Sequence, residues 1–464
     1  MPAWLVVLLL PAAGFVPGWL LVRRFDRGRL SLPAAFAALT LGLAALGWAA
    51  LLLAEVGAFA VGWLAAVWAL LVVGLLAVDV WRRRAGRAAP TGRAHAPLPD
   101  RPAVPRLFPA LPAWLEGAFL VAWLVAAGWL FFRPHEYVLG AADAGVYVSL
   151  GASIAREGSI VVQDETLAGL DTALYDTLLR PMSDNPIAPW YLLPGFYVVG
   201  QPPGEITPQF YPLHPVWLAV AFGLVADTGA PTTEAIRAEL LMNGLWATLG
   251  ALAVYFTVRQ FAGWETAALA LVALSLTGLQ VWFARYPTTE VLTQTMLWSG
   301  LFGLGHWLGG DRPAKLWALV AGVSLGMAFL VRVDLLVLLP VLGLLALWLL
   351  AGGSRAAAPG AAGWFLVPLG GLVAHSFAHG WLQSRPYFVA HSGLGLRLLQ
   401  VNWAIPAVAA LAAVAFLWLL RRAGPQFLAG YARYRRAALL ALIDVTLVFA
   451  VYGWFIRPVI GAPA

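Results

Sequence analysis

Long uncharged apolar runs, separated by short polar loops, dominate the chain. A run of about 18 apolar residues is long enough to cross a bilayer as a helix. The pattern therefore predicts an all-α polytopic membrane protein with about 12 transmembrane helices. The predicted spans are Ala3–Leu21, Pro33–Ala54, Ala58–Trp81, Ala113–Phe132, Ala235–Val258, Thr266–Phe283, Thr288–Leu308, Leu316–Val331, Leu335–Ala351, Gly363–Leu382, Asn402–Leu420 and Ala438–Ile456.

Two apolar segments depart from this simple pattern. Val216–Val225 is too short to cross roughly 30 Å of hydrocarbon as a helix, so we expect it to lie in or dip into the outer interface. The run from Leu316 to Ala351 is too long for one span, and Arg332 and Asp334 mark a turn that divides it into two helices.

Composition supports a membrane protein and excludes several other classes. Hydrophobic residues make up 61% of the chain and charged residues only 11%, whereas soluble domains have about 25% charged residues. The net charge of +7 comes from arginines in short loops, which is typical of orientation in a bilayer and does not indicate nucleic-acid binding. The chain has no cysteine, which excludes disulfides and thiolate chemistry.

The arginines also predict the topology, because cytoplasmic loops are enriched in Lys and Arg. Basic loops follow the first, third and eleventh predicted spans, and placing all three in the cytoplasm puts both termini outside. We expect a multi-pass protein of a bacterial-type plasma membrane. The arginines of these loops are Arg23, Arg24, Arg27, Arg29, Arg82, Arg83, Arg84, Arg87, Arg93, Arg101, Arg106, Arg421, Arg422, Arg433, Arg435 and Arg436.

The predicted organisation has two parts. Residues 1–112 form an N-terminal three-helix membrane module with a basic cytoplasmic linker, and residues 113–464 form a transmembrane core. Within the core, residues 133–214 form a large acidic loop on the extracytoplasmic side. The loop contains a predicted surface helix from Ala144 to Glu157, with Asp143 at the N-cap and Gly158 just past the end. Its apolar face is expected to lie on the membrane; it consists of Val146, Tyr147, Leu150 and Ile154.

Asp143 is the first candidate for chemistry. It stands at the junction of a span and the surface helix, where a carboxylate could accept the proton of an attacking hydroxyl. The alternative is that Asp143 only caps the helix, since Asp is a favoured N-cap residue.

Arginines on the outer side are the second candidates, because guanidinium groups match phosphate geometry. Arg285 and Arg332 lie at outer ends of spans, and Arg385 and Arg397 lie in an outer loop. The alternatives are snorkelling, or pairing of Arg285 with Glu290 and of Arg332 with Asp334. His214, between two prolines in Tyr211-Pro212-Leu213-His214-Pro215, either contacts phosphate or acceptor or belongs to a plain turn.

Metal binding remains an open option. His375 and His379 have the i, i+4 spacing of a helical metal site, but no glutamate accompanies them in the motif that would make the site specific. Asp164 and Glu165 are an adjacent acid pair that either assists a metal or is solvated loop. A divalent metal is therefore the cofactor left open by the sequence.

Three pieces between Gly140 and Asp334 resemble the GT-C superfamily of multi-spanning glycosyltransferases, which includes protein O-mannosyltransferases and aminoarabinose transferases of lipid A. The first piece runs from Asp143 to Ser159 and is similar to an acid, a surface helix and a glycine in the first outer loop. The second is the proline-rich corner at residues 211–215, which precedes a helix bearing Arg237. The third is Phe283-Ala284-Arg285-Tyr286-Pro287-Thr288-Thr289-Glu290, similar to a tight outer turn between two core helices.

The resemblance implies an inverting transfer of a sugar from a polyprenyl-phosphate carrier to a lipid, glycan or protein acceptor, at an extracytoplasmic active site, with Asp143 as the catalytic base. Adjacent acids are common in the family's first loop, whereas Ala144 follows Asp143 here. The candidate substrate-binding residues are Arg156, His214, Arg285, Glu290, Arg332, Arg385, His391 and Arg397.

Two other functions are compatible with the sequence. A transporter or flippase of lipid-linked sugars would concentrate polar residues near the membrane midplane, whereas the acids here lie mainly in one outer loop. A non-catalytic assembly or scaffold protein would tolerate replacement of Asp143 by Asn.

Overall fold

The computed structural model describes residues 1–26, 31–84, 112–138, 140, 143–182, 190–199, 202–226, 232–350 and 360–391, together with 411, 414, 415 and 418. The chain divides into two compact units, Met1–Val341 with Ser354–Leu396 and Leu342–Gly353 with Arg397–Ala464. The candidate functional site belongs to the first unit.

The described chain is mainly α-helical, as predicted, and six of its helices are long and apolar enough to cross a membrane. Each corresponds to a predicted span, with ends that differ by at most a few residues. These helices are α1 (Ala3–Val22), α2 (Leu32–Glu55), α3 (Val61–Arg84), α4 (Ala113–Phe131), α9 (Thr233–Ala262) and α15 (Ala362–Leu382).

Local signals explain where several of these helices begin and end. The Ser31 hydroxyl accepts a hydrogen bond from the backbone N–H of Ala34 at the start of α2. The Thr232 hydroxyl does the same for Ala235 at the start of α9, so both helices have side-chain N-caps. Helix α9 ends at Gly263, whose φ of 84° favours glycine.

The remaining predicted spans have shorter or interrupted counterparts. Thr266–Phe283 is two helices, α10 (Trp264–Leu276) and α11 (Gly278–Arg285), bent by 65° because Thr277 adopts an extended conformation. The turn predicted at Arg332 and Asp334 is confirmed. The helices of this part are α12 (Glu290–Leu308), α13 (Ala314–Ala328), a 3-10 helix (Val333–Leu338) and α14 (Leu339–Leu350).

Parts of the sequence interpretation lie outside the described residues. They include the linker at 85–111, nearly all of the predicted span Asn402–Leu420, the whole of Ala438–Ile456, and the candidate Arg397. The count of about 12 spans therefore stays a prediction.

The helix predicted in segment 133–214 is confirmed, but its apolar face lies elsewhere. Helix α5 (Asp143–Glu157) ends before Gly158, whose φ is 77°. Its side chains Tyr147, Leu150 and Ile154 are buried, because α5 packs against α8 (Leu213–Val225) and α9. The expectation that this face lies on a membrane surface is wrong, since it is covered by protein.

Helix α8 contains the short apolar run Val216–Val225 and is a core helix. Every side chain from Leu213 to Phe222 is buried, and its neighbours are α1, α2, α3, α5 and α9. Thirteen residues extend only about 20 Å, which is too short for a lone span. Its depth in the bilayer stays a prediction.

Segment 133–214 also contains a β-sheet that the sequence pattern did not predict. The elements here are β1 (Val162–Gln163), α6 (Glu165–Ala168), a 3-10 helix (Thr172–Leu174), α7 (Tyr175–Leu178), β2 (Arg180–Pro181), β3 (Tyr191–Leu193), β4 (Phe196–Val198) and β5 (Glu205–Pro208). The antiparallel strands have the order β1-β5-β4-β3-β2, and the small core of the sheet includes Tyr175, Tyr191 and Val198.

Helices α1 and α2 approach so closely that glycine is required between them. A Cβ at Gly42 would lie 1.7 Å from the carbonyl oxygen of Gly14, and one at Gly18 would lie 1.8 Å from that of Ala38. Both obstacles are backbone atoms, so neither can move without separating the helices. Small residues at such crossings are typical of membrane helix pairs.

We therefore expect Gly42→Ala to lower the free energy of unfolding by roughly 1–3 kcal/mol through overpacking. The measurement is reversible unfolding in detergent followed by circular dichroism. Gly74→Ala in α3 is the control, because a Cβ there meets no atom within 4 Å. Equal stability of the two variants would contradict the close packing of α1 on α2.

Candidate functional site

The turn between α11 and α12 is fixed by one buried amide. Asn243, wholly buried in α9, donates from Nδ2 to the backbone carbonyls of Phe283 at 3.1 Å, Tyr286 at 2.6 Å and Thr288 at 2.9 Å. Because the three carbonyls belong to one turn, the amide sets the position of the residues that follow it.

This turn contacts the start of α5, where Asp143 lies. The backbone N–H of Ala144 donates a hydrogen bond to the Tyr286 hydroxyl, and burial, together with the negative charge of Asp143, raises the pKa of Tyr286. Asp143 itself is exposed. The candidate base is therefore close to the turn that contains Tyr286 and leads into Glu290.

Arg332, just past α13, contacts the residues that follow this turn. Its Nη1 donates to Glu290 at 3.0 Å and to the Thr289 hydroxyl at 3.1 Å, and its Nη2 donates to Asp334 at 2.9 Å. The Arg332 guanidinium lowers the pKa of Asp334, and His391 acts in the same direction. The pairing of Arg332 with Asp334 that the sequence left open is thus present, and Glu290 is a second partner.

Aromatic side chains form a wall beside these charges. The ring of Tyr147 lies 4.7 Å from that of Phe210, Phe210 lies 6.1 Å from Tyr387, and Tyr387 lies 4.1 Å from His391. The Tyr147 side chain is hydrogen-bonded to Thr289, and burial raises the pKa of Tyr147. Burial also raises the pKa of Tyr387. Both phenols therefore stay protonated at neutral pH and can donate hydrogen bonds.

His214 lies behind this wall. Its ring is 5.3 Å from that of Tyr147 and is fully buried. Burial lowers the pKa of His214 to about 3, so the imidazole is neutral at physiological pH. Because the ring has no exposed surface, His214 touches neither phosphate nor acceptor in this conformation.

Three predicted arginines have other surroundings. The Arg285 guanidinium donates two hydrogen bonds, of 2.9 and 2.7 Å, to the backbone carbonyl of Leu130 in the last turn of α4. The predicted alternative, an ion pair of Arg285 with Glu290, is wrong, because Glu290 pairs with Arg332. Arg385 lies over the ring of Trp381 at 4.5 Å. Arg156 is exposed near the far end of α5, about 20 Å from Asp143 along the helix axis. Among the described residues, none of these three guanidinium groups forms an ion pair with Glu290 or Asp334, the carboxylates that bind Arg332.

The candidate metal ligands have ordinary partners. His375 Nε2 lies 2.8 Å from one carboxylate oxygen of Glu55, and His379 Nδ1 lies 2.7 Å from the other. Each imidazole is thus hydrogen-bonded to its own oxygen of Glu55, and the two nitrogens do not face a common position where an ion could bind. Asp164 caps α6 through the N–H of Leu167, and Glu165 is exposed in that helix.

No group of three His, Cys, Asp or Glu side chains is arranged to hold a metal within the described residues. The residues present therefore do not fit a divalent ion at the predicted positions.

Several residues of the site were missed by the sequence analysis. Asn243, Thr289 and Tyr387 contribute contacts that depend on which helices are neighbours, and no local pattern indicates this. Glu239 in α9 is fully buried, and both its oxygens have no hydrogen-bond partner in the described part of the chain. An acid inside a predicted span was the available signal, because such residues are costly and usually functional.

Comparison with known proteins gives no relative for this chain: no family model, no curated protein and no solved structure matches it.

Replacing Asn243 with Leu is expected to loosen the turn that presents Tyr286 and Glu290. The backbone carbonyls would lose their donor at a cost of about 1–3 kcal/mol. Hydrogen exchange of the 283–290 backbone, measured by mass spectrometry, should increase. Thr248→Val in the same helix is the control, because among the described residues the Thr248 hydroxyl bonds only to Gly244 of α9. Unchanged exchange in Asn243→Leu would rule out this role.

Proposed function

We propose that the protein is an integral-membrane glycosyltransferase of GT-C type, which transfers a sugar from a polyprenyl-phosphate carrier to an acceptor hydroxyl on the extracytoplasmic side. The observation that supports it best is the position of four predicted residues. Arg332 binds Glu290, His391 acts on Asp334, the other carboxylate partner of Arg332, and Asp143 acts on Tyr286, in the turn that leads into Glu290. Each of the four comes from a different part of the chain, as expected for an active site assembled by the fold.

In the proposed reaction, Asp143 accepts the proton of the acceptor hydroxyl. The hydroxyl oxygen forms a bond to the anomeric carbon as the bond from that carbon to the phosphate oxygen breaks, with inversion. The polyprenyl phosphate leaves with the bonding electron pair, and the protonated Asp143 later releases its proton to water. Asp143 suits the role of base because it is exposed and its charge acts on Tyr286, in the turn that leads into Glu290.

Arg332 is the proposed phosphate ligand, and Glu290 and Thr289 are positioning residues that orient its guanidinium. Nη1 is held by Thr289 and Glu290, while Asp334, which is 57% exposed, contacts Nε and Nη2. Nη2 retains a second N–H for a ligand. The donor phosphate would compete with the more exposed Asp334 for the Arg332 guanidinium, while Glu290 holds that guanidinium in position.

The extracytoplasmic placement is also part of the proposal. The backbone N–H of Phe59, just before α3, donates to the carbonyl of Gly158 at the end of α5. Arg82, Arg83 and Arg84 lie at the opposite end of α3, about 36 Å away along a straight helix of 24 residues. A cytoplasmic position for these arginines supports an outer position for the segment of α5.

A transporter or flippase of lipid-linked sugars is the second candidate. The buried Glu239 favours it, because polar groups within spans line the pathways of transporters. The two functions differ in whether the sugar–phosphate bond breaks.

Purified protein in liposomes, supplied with labelled polyprenyl-phosphate sugars and acceptor extract, should release free polyprenyl phosphate. Asp143→Asn should reduce this rate by about 10²–10⁴-fold, the usual contribution of a general base. Asp171→Asn is the control, because Asp171 is an exposed N-cap in the same segment. Lipid flipping without bond cleavage would favour the second candidate, and equal transfer by Asp143→Asn would end the assignment.

Arg332→Lys tests the phosphate ligand separately. Lysine keeps the charge but cannot hold Glu290, Asp334 and phosphate together in a planar fork. We expect the KM for the donor to rise by roughly tenfold, equivalent to about 1.4 kcal/mol. Arg180→Lys, at an exposed position in β2, should leave the KM unchanged. A normal KM in Arg332→Lys would place the phosphate elsewhere.

A further inference from the structure

A large apolar groove lies between α1, α4 and α9, apart from the site above. Its volume is about 1330 Å³, larger than the roughly 300–1,000 Å³ of typical small-molecule sites. The lining is almost entirely hydrocarbon, and includes Val7, Leu8, Leu124, Leu245, Leu249 and Leu252.

Only one end of the groove is charged. Glu234 and Arg237, both in the first turns of α9, line it there. The Glu234 carboxylate accepts a hydrogen bond from the backbone N–H of Ala3 at 3.0 Å. Arg237 is 3.9 Å from the other Glu234 oxygen, and its side chain is 66% exposed. Such a long and exposed ion pair contributes little, so the guanidinium is available to an anion.

The length of the groove matches a lipid chain. Along α9 it runs from Glu234 to Leu252, about 27 Å at 1.5 Å per residue. This is close to the roughly 30 Å thickness of the hydrocarbon core. A ligand that fills it must be long and apolar, with an anionic group at one end only.

We propose that this groove binds one anionic phospholipid of the surrounding bilayer, with an acyl chain along α9 and the phosphate on Arg237. Guanidinium is the side chain best suited to phosphate, and the N-terminal end of α9 also favours an anion. Bilayer phospholipid is the most abundant amphiphile at a lipid-facing groove, so mass action favours it over a scarce carrier.

The groove is distinct from the proposed active site. The polar contacts of Glu234 and Arg237 within the described chain are with each other and with Ala3, whereas Asp143 acts on Tyr286. The proposal therefore does not depend on the proposed transferase activity.

Gly128 of α4 provides a direct test. It lines the groove, and a Cβ added there meets no atom within 4 Å. Because its Cβ has room, a tryptophan at this position is expected to occupy part of the groove. Gly117 offers a matched control, since it is in the same helix, equally uncrowded and not part of the groove lining.

The experiment is native mass spectrometry of the full chain released from nanodiscs of mixed phosphatidylglycerol and phosphatidylcholine. Wild type and Gly117→Trp should retain one phosphatidylglycerol, and Gly128→Trp should retain about tenfold less, a loss of about 1.4 kcal/mol in binding. Arg237→Gln, which changes an exposed side chain, should still bind lipid but no longer prefer phosphatidylglycerol. Thermal unfolding of each variant verifies folding.

Three results would overturn the proposal. The first is equal lipid retention by Gly128→Trp and Gly117→Trp, and the second is wild-type retention of both phospholipids without preference. The third is displacement of phosphatidylglycerol by an equimolar addition of polyprenyl phosphate, which would identify the carrier as the occupant instead.

Discussion

The hydrogen bonds from Asn243 to the turn between α11 and α12 are the constraint on which the site depends. They join α9, a buried helix, to a segment that would otherwise be a solvated loop. Tyr286 then meets the start of α5, and Glu290 meets Arg332. Because the amide is buried, the bonds are formed without competition from water, and losing them leaves unpaired carbonyls.

The apolar pattern predicted most of the helices but not their environments. Six spans could be predicted from length and hydropathy, since these depend only on consecutive residues. The environment of the apolar face of α5 could not be predicted, because an amphipathic helix fits a membrane surface and a protein neighbour equally well. The sheet was missed because strands of two to four residues are too short to show an alternating pattern.

The candidate site could likewise be predicted from the sequence only in part. Glu290, Arg332 and His391 were selected from the sequence and lie together in the structure, with Asp143 close by. Arg285 was selected for the same reason as Arg332, yet its guanidinium binds a backbone carbonyl. A guanidinium at the end of a span suits either a phosphate or a helix terminus, and only the neighbouring helix decides between them.

The bend between α10 and α11 lies where the chain returns along the length of α9. The turn at Tyr286 is fastened to Asn243, and α9 continues from there for about 28 Å to Ala262. The chain must recover that whole height between Trp264 and Arg285. Helices of 13 and 8 residues extend about 20 Å and 12 Å, so neither covers this distance alone, and the two helices on either side of the 65° bend return the chain together.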